Sequence, residues 1–274
     1  MRHHLTRTFA IVVCVATAGP AAAHEFWVDI SPPKPDSGVA LTANLRVGQN
    51  LSGSALPYVD TKIKTMAHVT PTSSHPIGAQ LGDRPAITGV NLSEDGLHIL
   101  SVETHPAYIV FETMPEFEEY LAYEGLSHIA TLHRKRGLAE TYIAEEYIRN
   151  ARALVQMGAV DEDDIDRLTG MPFEIIVKGS PFAIDQDALT VRLEWQGAAA
   201  PALQITMFHV SSDGSAPDDT IQIRAWTDQD GYAEFPLNGA GKYLLNAVRM
   251  EPVEGLGSVV WQSHWASLAF EIAQ

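Results

Sequence analysis

A histidine directly follows a predicted signal-peptide cleavage site, and this position gives it chemistry that an internal histidine lacks. Residues 1–23 have a positive segment, an apolar stretch too short to span a bilayer, and three alanines before the expected cut. Cleavage after Ala23 would leave His24 with a free α-amine. This amine and the imidazole Nδ1 can close one chelate ring around a nickel, copper or zinc ion, all of which accept nitrogen donors. His24 is therefore the first candidate metal ligand.

A metal site at His24 needs further ligands from the folded chain. His105 precedes a proline at a strand junction and His264 lies between two tryptophans, and we expect one of them to complete the site. The structural alternatives are turn chemistry for His105 and aromatic packing for His264. Glu25 and Asp29 could add a carboxylate or orient the imidazole of His24.

Composition restricts the ligands and the partners. The only cysteine, Cys14, lies within residues 1–23, so a mature chain has no disulfide and any metal site must use nitrogen and oxygen. Removal of these residues takes away two arginines and no acid, which changes the net charge from −16 to −18. Such a surface favours cations and disfavours nucleic acid and anionic lipid. Beyond the signal peptide, no apolar stretch approaches membrane-spanning length. We therefore expect a soluble periplasmic protein without membrane insertion.

The hydrophobic pattern predicts two β domains on either side of a helical segment. Residues 24–113 form the first domain, residues 114–170 the helical segment with an acidic linker, and residues 171–274 a small C-terminal β-sandwich. The fold class is thus mainly β, with two sandwich-like domains. The strands predicted in the first domain are Glu25–Ile30, Val39–Val47, Ile63–Val69, Gly96–Thr104 and Ala107–Glu112.

Helical spacing of apolar residues occurs twice in the middle segment. Glu116–Arg136 has this spacing with an interruption near Gly125. A second and clearer helix is predicted after Gly137, and Gly158 would cap its C-terminus. At the end of the chain, Val259–His264 and Leu268–Ile272 read as two short strands; these and the other C-terminal strands suit a small sandwich.

A series of short motifs carries a resemblance to a known family. These are Ala23–Trp27, Arg46–Gln49, Tyr120-Leu121, Glu124–Leu126, Tyr147–Gly158, Thr227–Gly231 and Trp261–Glu271. By their order and spacing the chain resembles the periplasmic domain-of-unknown-function family that includes NikK-type accessory proteins of nickel and cobalt uptake. The resemblance implies a prealbumin- or immunoglobulin-like C-terminal sandwich and a divalent transition metal ion as cargo. A metal permease or an outer-membrane receptor is the expected partner.

Three functional hypotheses follow from these observations. The leading one is a periplasmic protein that binds or delivers nickel, cobalt or copper, with His24 and either His105 or His264 as ligands. The second is a binding or spacer module without metal, in which His24 merely precedes a core strand. The third is a copper enzyme with a histidine brace, which requires another imidazole beside His24. Because standard catalytic motifs are absent from the sequence, we do not expect an enzyme.

Overall fold

The computed structural model describes most of the chain beyond the predicted signal peptide, which itself lies outside the described residues. The described ranges are 24–36, 38–161, 164–183, 187–254 and 257–273. They contain seventeen strands and two helices. The expectation of a mainly β fold is therefore confirmed.

Eight strands precede the first helix. They are β1 Glu25–Ser31, β2 Ala40–Gln49, β3 Ser52–Leu56, β4 Ile63–Val69, β5 Ser74–Pro76, β6 Ile87–Asn91, β7 Gly96–Thr104 and β8 Ala107–Thr113. The five strands predicted in this region are all present, with bounds that differ by two residues at most. Alternating burial, as in β2, explains why the pattern could be read from the sequence.

Two short helices follow, α1 Met114–Tyr123 and α2 Ser127–Lys135. The side chain of Thr113 caps α1 by accepting a hydrogen bond from its first turn, where a proline also lies. Between the helices Gly125 adopts a positive φ of 74°, which glycine tolerates best. The prediction of a helical region interrupted near Gly125 is confirmed.

The second predicted helix is wrong, because the chain after residue 140 forms the longest strand. This strand, β9, spans Thr141–Met157. Its residues from Asn150 to Val155 are buried without interruption, so polar and apolar residues do not alternate as they do in a half-exposed strand. The apolar residues of this stretch happen to have helical spacing, and many of its residues favour helices, so the sequence predicts a helix. Burial on both faces of a sheet stabilises a strand instead.

Eight further strands complete the fold. They are β10 Phe173–Val177, β11 Ala188–Trp195, β12 Ala198–Ala199, β13 Gln204–Ser211, β14 Ile221–Trp226, β15 Tyr232–Pro236, β16 Gly241–Pro252 and β17 Val259–Ile272. The two strands predicted after residue 258 are in fact the single strand β17. It continues because it pairs along its length with β16 on one side and β9 on the other.

The strands form three sheets. The first sheet has the order β1-β2-β3, with β6 also paired to β2, and the second has the order β10-β11-β12, with β15 paired to β11. The central sheet has nine strands in the order β14-β13-β16-β17-β9-β7-β4-β5, with β8 paired to β9 beside β7. Strands from both predicted domains, residues 24–113 and 171–274, thus belong to one sheet.

The two smaller sheets cover opposite faces of the central sheet. Leu154 and Leu245 pack in the core under the second sheet, whereas their chain neighbours Ala153 and Leu244 pack in the core under the first sheet. Successive side chains of a strand point to opposite faces, so the molecule has three layers. The helices α1 and α2 pack with Trp265, on the same face as the first sheet.

Candidate functional site

A pocket opens where the first sheet and the helices meet above the central sheet. We call it the N-terminal pocket because His24 is part of its wall. Its volume is about 360 Å³, within the range of small-ligand sites. Its lining consists of His24, Val47, Tyr108, Ile109, Phe111, Tyr120, Glu145, Tyr147, Arg149 and Trp265.

Strand geometry brings three of these polar side chains together. Glu145, Tyr147 and Arg149 are alternate residues of β9, and alternate residues share one face. Trp265 of the neighbouring strand β17 lies opposite Arg149 in the pairing register. One wall of the pocket is therefore formed by two paired strands, and their hydrogen-bonded backbone positions the polar side chains.

Three buried glutamates lie at this end of the molecule, and we call them the carboxylate cluster: Glu25, Glu124 and Glu145. Burial raises the pKa of Glu25 to about 7 and that of Glu145 to about 7. The pKa of Glu124 is raised well above its ordinary value, by burial first and then by the charges of the other two carboxylates. The cluster can therefore hold protons near neutral pH.

Each carboxylate has one partnered oxygen. Tyr123 donates to Glu25 Oε1 at 3.3 Å, and Tyr120 donates to Glu145 Oε1 at 3.2 Å. Asn246 contacts Glu124 Oε2 through its side-chain nitrogen at 3.4 Å. These contacts fix the orientation of the three carboxylates.

The other oxygen of each carboxylate is buried and has no hydrogen-bond partner among the described residues. These atoms are Glu25 Oε2, Glu124 Oε1 and Glu145 Oε2. A buried acceptor without a partner costs free energy, and such an atom at a pocket points to a bound proton or a ligand. Of the three residues, Glu145 lines the N-terminal pocket together with His24.

Arg149 is the cation beside Glu25 and Glu145, whereas Arg224 acts on Glu124. The Nη2 of Arg149 donates to the main-chain oxygen of His24 at 3.2 Å, while its buried Nε has no partner in the described part of the chain. The guanidinium also lies over the ring of Tyr147, 4.8 Å from its centre. Its charge lowers the pKa of Glu25 and Glu145, but burial outweighs this effect.

The three histidines chosen from the sequence occupy three different places. His24 is exposed at the N-terminal pocket, and His105 lines a neighbouring pocket that shares Tyr147 and Arg149 with it. His264 precedes Trp265 and faces the other side of the central sheet, where its ring packs edge-on against Trp195 of the second sheet at 4.6 Å. The central sheet therefore separates His264 from His24.

These placements limit the metal sites that side chains alone can form. Across the described ranges, no three His, Cys, Asp or Glu side chains form a group that could hold a metal ion. Asp29 is engaged elsewhere, in ion pairs with Arg46 at 2.6 Å and Lys242 at 3.0 Å. A site at His24 must therefore draw on the α-amine that cleavage would expose.

Sequence reasoning missed Glu124, Glu145 and Arg149 as residues of this region. The sequence has no clear signal for them, because polar and apolar residues do not alternate along this stretch. The helix predicted for this stretch placed residues 145, 147 and 149 on different faces. Glu25, which the sequence suggested as a carboxylate source, does lie in the cluster.

The fold and the pocket define a three-layer β protein with a largely aromatic and apolar pocket at the start of its first strand, into which Glu145 and Arg149 bring charged groups. The chain belongs to the family described as Domain of unknown function (DUF4198), whose model matches residues 21–251. No curated protein matches the chain significantly. In the described part of the chain, neither helix is long and apolar enough to cross a membrane.

Proposed function

We propose that this protein is a periplasmic metal-binding protein accessory to transition-metal uptake, of the NikK type, and that it carries nickel, cobalt or copper. The observation that supports the proposal best is the position of His24 at a pocket that also contains Glu145, whose buried Oε2 has no partner among the described residues. Cleavage after Ala23 would add an α-amine at this place. A metal permease or an outer-membrane receptor would receive or supply the ion.

The proposed ligands are the amine and imidazole of His24 together with the carboxylate of Glu145. This set has two nitrogen donors and one oxygen donor, which suits nickel and copper. Arg149 would orient the N-terminal residue through the main-chain oxygen of His24. His105 lies in the adjoining pocket, and the sheet keeps His264 away.

The histidine-brace enzyme has less support than this proposal. A brace needs a second imidazole within reach of His24, and the residues that line the N-terminal pocket in the described structure include no other histidine. Metal carriage needs only a chelating ligand set and a route for the ion. We therefore propose a binding protein and not an oxygenase.

The test compares two forms of the protein that differ by one residue. One form begins at His24 and the other retains Ala23 before it, which removes the free amine from His24. We expect native mass spectrometry and calorimetry with Ni²⁺, Co²⁺ and Cu²⁺ to show one ion per chain in the first form. Affinity should fall by about a hundredfold or more in the second form, since even the outer partners of metal ligands contribute about ten- to a hundredfold.

A control variant measures metal binding by surface histidines. His128 is exposed on α2 and lies outside the N-terminal pocket, so His128→Ala should leave the affinity of the form that begins at His24 unchanged. Equal affinity of the two N-terminal forms would contradict the proposal. So would a stoichiometric ion that is lost only in His128→Ala.

A further inference from the structure

A second pocket, beside the N-terminal pocket, has the lining of a site for an organic anion. It lies between the first sheet and the place where β7 gives way to β8, and its volume is about 270 Å³. We call it the cationic pocket. Its apolar part includes Phe26, Leu45 and Ile63, and its polar part includes Lys62, His105 and Arg149.

The charge of this lining contrasts with the charge of the whole chain. The full sequence has a net charge of −16, yet the lining residues include lysine, arginine and histidine and no acid. Among the described residues neither Lys62 nor Arg149 has a carboxylate at ion-pair distance, although Glu25 and Glu145 attract Arg149 at longer range, and Arg149 Nε is buried without a hydrogen-bond partner. The neighbouring Lys64, by contrast, pairs with Glu103 at 2.8 Å.

The rim of the pocket is held in place by main-chain contacts. The N–H of His105 donates to the main-chain oxygen of Lys62 at 2.9 Å, which ties the two loops that carry these side chains. The N–H of Arg149 donates to the hydroxyl of Thr104 at 2.9 Å. Lys62 and His105 therefore lie on backbone segments that are hydrogen-bonded to each other, and Arg149 lies on the central sheet.

We propose that the cationic pocket binds a small monocarboxylate with an apolar body. The carboxylate would meet Lys62, His105 and Arg149, and the apolar body would pack on Phe26, Leu45 and Ile63. A few convergent polar groups on an apolar lining are typical of small-molecule sites. The volume is slightly below that of ordinary drug-sized sites, so the ligand is small. This inference does not depend on metal binding at His24.

Octanoate is the probe that tests this proposal, with octanol and octylamine as probes of the same apolar body and a different head group. We expect calorimetry on the metal-free protein at pH 7 to show octanoate binding about tenfold more tightly than octanol, and octylamine not binding. About tenfold corresponds to one charge-assisted contact. Equal affinity for octanoate and octanol, or no binding of octanoate, would overturn the proposal.

Two matched variants assign the binding to this pocket. Lys62→Met removes an exposed lining charge, and Lys64→Met removes a charge two residues away that is outside the lining. We expect Lys62→Met to weaken octanoate binding by about fivefold to tenfold and Lys64→Met to leave it unchanged. Equal effects of the two variants would overturn the assignment. His24→Ala should bind octanoate like the unaltered protein, which separates this result from the metal experiment.

Discussion

At the scale of single residues, the position of a side chain on its strand decides its chemistry in this protein. Glu145 and Glu146 are neighbours in β9, yet Glu145 lines the N-terminal pocket and Glu146 accepts a hydrogen bond from Gln262. Glu145 is buried and keeps one oxygen without a partner in the described structure, and burial raises its pKa to about 7. Two residues of one type therefore have different roles.

Replacement of Glu145 tests its role as a metal ligand. Glu145→Gln keeps the size and the contacts with Tyr120 and Ser263 but removes the charged oxygen. We expect this variant to bind Ni²⁺ about tenfold or more weakly in calorimetry with the protein that begins at His24. Glu146→Gln is the matched control and should keep the unaltered affinity. The same loss in both variants would exclude a specific role for Glu145.

His264 provides a pH test at the same scale. Burial and, to a smaller extent, the nearby Arg249 charge together lower the pKa of His264 to about 4. In the unfolded chain its pKa is near 6.5, so between pH 6.5 and 4 the unfolded state binds more protons and stability falls as the pH falls. The full loss is up to about 3 kcal/mol from this group. We therefore expect the free energy of unfolding of His264→Phe to fall by about 3 kcal/mol less than that of the unaltered protein between pH 7 and 4.

Urea unfolding at several pH values measures this difference. His264→Phe keeps a ring against Trp195, so the packing is largely preserved. The exposed His128 replaced by Ala serves as the control and should follow the pH profile of the unaltered protein. Parallel profiles for His264→Phe and the unaltered protein would show that His264 does not titrate in this way.

At the scale of elements, β9 connects all three layers. It pairs with β17, β7 and β8 within the central sheet. Its Arg152 is fully buried, and its guanidinium reaches Asp166 and Glu174, next to the second sheet. A strand in this position is buried on both faces, which explains why its sequence lacks the alternation that reveals half-exposed strands.

Loss of the Arg152 side chain should destabilise the fold strongly. Arg152→Ala leaves two acids, Asp166 and Glu174, buried without their cation. Breaking a buried ion pair in this way costs about 3–5 kcal/mol, and we expect that loss in urea unfolding. Arg134→Ala is the comparison, because its ion pairs with Glu118 and Glu140 are exposed and worth under about 1 kcal/mol. Similar losses in both variants would contradict this account.

At the scale of the whole molecule, the shared central sheet joins the two β regions. The cores under the first and second sheets both contain residues of β7, β9, β13, β16 and β17. Unfolding of the central sheet would therefore disrupt both cores at the same time. We therefore expect one cooperative unfolding transition instead of two domain transitions.

Buried thiols can report this transition in each outer layer. The sequence beyond residue 23 has no cysteine, so Val28→Cys in the first sheet and Val191→Cys in the second would each be the only thiol. In each variant, thiol labelling in urea should follow the loss of strand signal in circular dichroism. Labelling of one layer at a clearly lower urea concentration than the loss of strand signal would show that the layers unfold separately.

The sequence by itself determined the elements that carry local signals. Five of the eight strands up to residue 113 (β1, β2, β4, β7 and β8) and the break at Gly125 could be predicted, because strand-favouring residues, turn residues and glycine are local signals, whereas the short strands β3, β5 and β6 were missed. The sequence also identified His24 and Glu25 as candidate site residues, since both directly follow the expected cleavage site. The metal, the partner and the periplasmic location stay predictions from sequence.

Only the tertiary structure decided which residues meet. Burial on both faces of β9 is a property of three stacked layers, and no short window of sequence contains it. In the structure the predicted helix is a strand, and Glu145 and Arg149 on this strand line the pocket of His24. It also placed His264 on the opposite face from Trp265, because successive residues of a strand point to opposite sides.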